Sequence, residues 1–168
     1  MWIIGIAQHT PAWVWGLFTA LIALGLAQTR EREMSLARVT LLPLAMLALS
    51  ASGVLNAFGH APWAVGGWLA GLAAALRLGG PWLATRGAVW RTSTGRLLVP
   101  GSWLPLALIV LLFALKYAAG ASLALHPDLA ADARFAGAFA LGYGVFSGLF
   151  LARALGLRRL ATAAPVVA

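Results

Sequence analysis

Apolar residues along this chain gather into five blocks separated by short polar connections. Each block is about 18–23 residues long, the length a helix needs to cross ~30 Å of hydrocarbon. The blocks cover about 11–28, 36–58, 62–79, 103–125 and 133–155. Local punctuation supports helices there. Thr10-Pro11, Ser35, Pro62 and Asp132 supply helix starts, and Pro105 falls in a first turn where proline is tolerated. Gly59-His60-Ala61 and His126-Pro127 supply stops. Pro43 lies inside the second block and should bend its helix. Residues 1–9 lack the basic region of a secretory signal, so the first block reads as a retained span.

The longest polar connection, Gly80 to Ser102, has a different pattern. Val89–Thr92 and Arg96–Val99 have strand character, and Ser93-Thr94-Gly95 between them suits a turn. A short β-hairpin between helices 3 and 4 is expected. Two strands alone are marginal in water, so the hairpin should lean on the bundle through Trp82, Trp90 and Leu98. The predicted fold class is an all-α membrane protein, a single domain over residues 1–168: a five-transmembrane-helix bundle with a short cytoplasmic β-hairpin.

Composition agrees with this pattern. The 168 residues are 62% hydrophobic and 10% charged, with a mean hydropathy of +0.90. Soluble domains sit nearer 45–50% apolar and about 25% charged. The formal net charge of +8 would suggest nucleic acid in a soluble protein. Here the arginines cluster at the ends of apolar blocks, where they contact lipid headgroups and set topology; no nucleic-acid partner is expected. The absence of cysteine excludes disulfides and thiolate metal sites.

Orientation follows basic residues in short loops. The first connection carries Arg30, Arg32 and Arg38, the third Arg86, Arg91 and Arg96, and the tail Arg153, Arg158 and Arg159. The second connection has neither arginine nor lysine, and the fourth has Arg134 beside two aspartates. This places the N-terminus outside and the C-terminus in the cytoplasm, which requires an odd number of spans. Arg86, Arg91 and Arg96 are assigned to lipid headgroups. Arg77, near the same end of the third block, is expected to snorkel there.

Two helices carry small residues at a spacing of four. In the third block these are Gly67, Gly71, Ala75 and Gly79; in the fifth they are Ala136, Ala140, Gly144, Gly148 and Ala152. Lipid removes the hydrophobic drive between helices, so close backbone approach becomes a main source of association. The two seams are expected to face each other.

The only lysine, Lys116, sits inside the fourth block. A lysine within a span costs roughly 2.5–3.5 kcal/mol on insertion scales and marks a functional candidate. No Asp or Glu lies in any block to neutralise it. Counting from the outer surface puts Ser50, Ser52 and Tyr143 at a similar depth, so Lys116, Tyr143, Ser50 and Ser52 are the candidate ligand-binding residues. Snorkelling toward the outer surface is the plainer role for Lys116. His9, His60 and His126 all fall on outer connections and form a candidate metal set, although their spacing carries no metal signature and ordinary turn or interface positions are the plainer explanation. Nucleophile–base pairs, carboxylate dyads and glycine-rich phosphate loops are missing, so neither enzymatic activity nor a cofactor is expected.

The segments QHTPAWVW, SLARVTLLPLAMLALS, PGSWLPL and FALKYAAG together resemble a family of bacterial inner-membrane proteins known only as a domain of unknown function. The resemblance runs from Gln8 to about Leu160. It implies a multi-helix inner-membrane protein and carries no functional residues over. Two functions are compatible with the chain. One is a structural or accessory component of a membrane complex, docking a membrane protein partner or further copies of itself. The other is a small transporter or sensor holding an anionic or metal ligand in an outward-facing pocket near Lys116.

Overall fold

The computed structural model describes residues 12–59, 61–83 and 87–163. They form five helices, α1 (Ala12–Ala27), α2 (Leu36–Phe58), α3 (Pro62–Leu83), α4 (Leu104–Leu125) and α5 (Ala133–Ala163). Three short strands accompany them, β1 (Arg32–Met34), β2 (Val89–Arg91) and β3 (Arg96–Val99), and one 3-10 turn covers Pro127–Ala130.

The helix ends have local causes. Ser35 caps α2 by accepting from the Arg38 backbone N–H at 3.4 Å. Gly59 closes it at φ 63°, a left-handed backbone that favours glycine. The Ser102 hydroxyl accepts from the Leu104 N–H at 3.2 Å where α4 begins. Asp132 accepts from the Phe135 N–H at 2.7 Å and caps α5.

Consecutive helices alternate in direction. Along α1 and α4, the Phe18 and Phe113 rings meet at 4.5 Å, tilted by 37°, while Gly25 meets Leu106, an antiparallel register. Along α2 and α5, Phe58 meets Phe135 at 6.2 Å and the Ser50 hydroxyl reaches the Tyr143 carbonyl at 3.4 Å. Both α3 and α5 run in one direction, with Gly67 against Gly137 and Gly148 against Ala75. The ends of α1, α3 and α5 and the starts of α2 and α4 therefore lie together.

The sheet sits at that end, and it corrects the two-stranded expectation. Its order is β1-β3-β2, antiparallel throughout, with Met34 opposite Leu97 and Val89 opposite Leu98. The extra strand comes from the charged first connection, so that connection and the third are knitted into one unit. Gly101 belongs to the same seam: a Cβ there would strike the Thr29 carbonyl, and the Ser102 N–H donates to Gln28 O at 3.0 Å. The inner face of the sheet, Met34, Leu97 and Val99, packs with Val39, Ala154 and Leu157. That contact explains why α5 continues to Ala163 rather than stopping near Leu155: its last turns are the floor under the sheet. The hairpin thus leans on Leu97, Val99 and the half-buried Trp90 rather than on Leu98, which alternates to the opposite face; the side chain of Trp82 lies outside the described residues.

The rest of the core reverses the arrangement of a soluble protein. Buried positions between helices include Ala64, Ala75, Ala119, Ala136, Ala140, Ser50 and Ser147. Large apolar side chains such as Leu24, Leu41, Leu69, Leu78 and Leu111 point outward. Small residues inside and leucines outside suit a hydrocarbon surround. Among the described residues, α2, α4 and α5 are long and apolar enough to cross a membrane. α1 is a shorter apolar helix. α3 has 22 residues, but its glycines and Arg77 dilute its apolar character.

Candidate functional site

Among the described residues, the closest contact between helices is the α3–α5 seam. A Cβ on Gly71 would meet the Leu141 carbonyl and lie 2.9 Å from Val145 N, and one on Gly144 would meet the Trp68 carbonyl and lie 2.9 Å from Leu72 N. A Cβ on Gly67 would lie 2.6 Å from Gly137 O, and one on Gly148 would lie 2.6 Å from the Ala75 Cβ. Ala140 is fully buried beside these glycines. The two backbones approach so closely that only hydrogen fits at these positions. This rigid pair is the platform on which the polar residues sit.

Halfway along the seam, the Trp68 indole N–H donates to Ser50 Oγ at 3.1 Å. Ser50 Oγ donates in turn to the Tyr143 carbonyl at 3.4 Å, which also accepts from Ser147 Oγ at 2.9 Å. The hydroxyls thus satisfy a carbonyl that the helix alone leaves with spare capacity. The buried ring of Tyr143 closes the group on one side. Against it, the Lys116 ammonium lies 5.6 Å from the ring centroid, within cation–π range.

Lys116 is exposed on the flank of the bundle. Its Nζ would lie 3.1 Å from a Cβ on Gly53, so the missing side chain there makes room for the ammonium. The side chain rises from about 13 Å below the C-terminal end of α4 to the level of Gly53, about 8 Å below the C-terminal end of α2. Its chemistry is that of an accessible cation braced by an aromatic face, suited to a carboxylate or another anion.

The four residues grouped by depth do not all meet. Lys116, Tyr143 and Ser50 converge. Ser52 turns away: it is exposed, and its hydroxyl donates to Leu49 O of its own helix at 3.0 Å. Two residues apart on a helix, Ser50 and Ser52 cannot share a face. Tyr117 stacks on Phe113 toward α1 instead. Trp68, Gly53 and Ser147 belong to the group without having been singled out. The usable signal was azimuthal, since Gly53 lies one turn beyond Ser50 and Ser147 one turn beyond Tyr143.

Of the three histidines, His9 and His60 lie outside the described residues, as does Arg86. His126 is exposed at the end of α4. No group of three metal-ligating side chains occurs among the described residues. At the sheet, Arg91 pairs with Glu33 at 3.3 Å and Arg96 stands exposed across the strand from it.

No curated protein and no solved structure matches the chain. One family model matches residues 1–166, almost its full length, and by that match the chain belongs to a family of unknown function, DUF6622.

Proposed function

We propose that this is a bacterial inner-membrane protein of five spans, N-terminus outside and C-terminus cytoplasmic, acting as a non-enzymatic accessory component of a membrane complex. The alternating helix directions support five crossings, with α1 and α3 completing the set that α2, α4 and α5 begin. The arginine-rich sheet end is then the cytoplasmic end.

One observation carries the accessory role: Lys116 is exposed on the flank of the bundle, at a level that five crossings would place within hydrocarbon. A bare cation facing lipid is costly, so a partner covers it. All four acids, Glu31, Glu33, Asp128 and Asp132, lie in connections. A second copy of this chain therefore has no carboxylate to offer at that depth. The partner that fits is a different membrane protein with an Asp or Glu inside a span, docked over the flank near Gly53 and Tyr143.

Gentle solubilisation of the tagged protein, followed by mass spectrometry, tests this. A stoichiometric membrane protein with an intramembrane acid should co-purify, and Lys116→Met should lose it without changing helix content. Retention of the partner by Lys116→Met would refute the docking site. A bound small anion lost in the variant would favour the transporter or sensor reading instead.

A further inference from the structure

The sheet end holds a second cationic group that the Lys116 flank does not involve. In β1, Arg32 and Met34 are two residues apart and share one face of the sheet. Met34 packs against Ala154 and Leu157 of α5, so that face looks onto α5. The partner of Arg32 across the ladder is Val99, itself buried on the inner face. On α5, Arg153 lies one turn before Leu157 and shares its side of the helix. Arg38 adjoins Val39, which belongs to the same packed cluster. Arg32 and Arg153, from β1 and α5, are thus directed to the same side of this cluster, and Arg38 of α2 stands exposed at its edge.

Arg32 and Arg153 are both partly buried there. The charge of Arg32 acts on Arg153. Burial, and then the neighbouring charge of Arg38, holds Arg32 below the usual guanidinium range. The one hydrogen bond found for this trio's guanidiniums is from Arg32 to Gln28 Oε1, at 2.9 Å. Glu33 is occupied with Arg91, and Glu31 is exposed. The described residues place no carboxylate in an ion pair with Arg32, Arg38 or Arg153. Folding thus brings like charges near one another with no carboxylate paired to them, an arrangement that a bound anion would stabilise.

We propose that Arg32, Arg38 and Arg153 form a binding site for a phosphate group, supplied by the headgroup of an anionic phospholipid in the cytoplasmic leaflet. Guanidinium forks match phosphate oxygens bidentately. Depth favours the lipid as the source. Arg153 is about 30 Å along α5 from its outer end, which is the hydrocarbon thickness and hence headgroup level.

The test uses the whole protein in neutral detergent without phosphate buffer, titrated with phosphatidylglycerol, phosphatidylcholine or inorganic phosphate. Thermal stability and native mass spectrometry are the readouts. Phosphatidylglycerol should raise Tm and remain bound, while phosphatidylcholine should not. Arg32→Gln and Arg153→Gln should each weaken the lipid response by about tenfold or more. Arg158→Gln, an exposed arginine on the following turn, should leave it within about twofold. In lipid-free protein, Arg153→Gln should not lower Tm, because it removes repulsion; a marked fall would contradict the uncompensated cluster. Equal weakening by Arg158→Gln would show diffuse surface attraction and overturn the site. A full response to inorganic phosphate would overturn the lipid as its occupant.

Discussion

Replacing Gly71 with alanine is a severe test of the α3–α5 seam because the added methyl has nowhere to go. It would lie 2.9 Å from Val145 N and closer still to the Leu141 carbonyl. Both are backbone atoms of a helix, so no side chain can swing aside. Ordinary contact begins at 3.4 Å, so the helices must part by about 0.5 Å to relieve the Val145 N contact and by more to relieve the one at the Leu141 carbonyl. A gap of that size forfeits a quarter to a half of each dispersion contact it opens. Overpacking of this kind costs about 1–3 kcal/mol, against a gain of up to ~1 kcal/mol from alanine's better helix propensity. A Cβ on Gly66, one residue from Gly67 on the same helix, meets nothing within 4 Å. Gly66→Ala should therefore be neutral or stabilising by up to ~1 kcal/mol. The two substitutions should differ in sign, with Gly71→Ala net destabilising by about 1–2 kcal/mol. Reversible unfolding by sodium dodecyl sulfate in mixed micelles, followed by circular dichroism, measures both. Equal effects from the two alanines, or a stabilising Gly71→Ala, would refute the close approach.

Two further substitutions separate the membrane core from the sheet. Ser50→Ala leaves the Trp68 indole N–H without its acceptor and should cost about 0.5–2 kcal/mol; a double-mutant cycle with Trp68→Phe should recover most of that as coupling. Leu97 is 0% exposed at the centre of the sheet, so Leu97→Ala should cost about 2–5 kcal/mol locally. Hydrogen exchange should speed up in β3 and in the last turns of α5, with little change in α3.

Much of the bundle was legible in the sequence because its determinants are local. Ser35, Gly59, Pro62 and Asp132 mark helix ends through chemistry acting within one turn. The small-residue spacing of Gly67, Gly71, Gly144 and Gly148 points to close helix approach without any knowledge of the partner. What stayed hidden depends on contacts distant in sequence. Arg32-Glu33-Met34 contains no strong β-former, and it becomes a strand only because β3 offers a free edge. The end of α5 reads as a charged tail at Arg158 and Arg159, yet Leu157 and the half-buried Leu160 are held under the sheet. At the candidate site, depth along each helix was readable and rotation about it was not. Hence Ser50 and Tyr143 meet, Ser52 faces outward, and Trp68 was missed.

The central claim is that the chain crosses the membrane an odd number of times, with the sheet end in the cytoplasm. The lack of cysteine makes single-cysteine labelling clean. One cysteine replaces Thr94 in the turn between β2 and β3, and another replaces Ala131, exposed between the 3-10 turn and α5. In intact spheroplasts, a membrane-impermeant thiol reagent should label Ala131→Cys at once and Thr94→Cys only after permeabilisation. Labelling of both positions from the same side, or of Thr94→Cys alone from outside, would contradict the account.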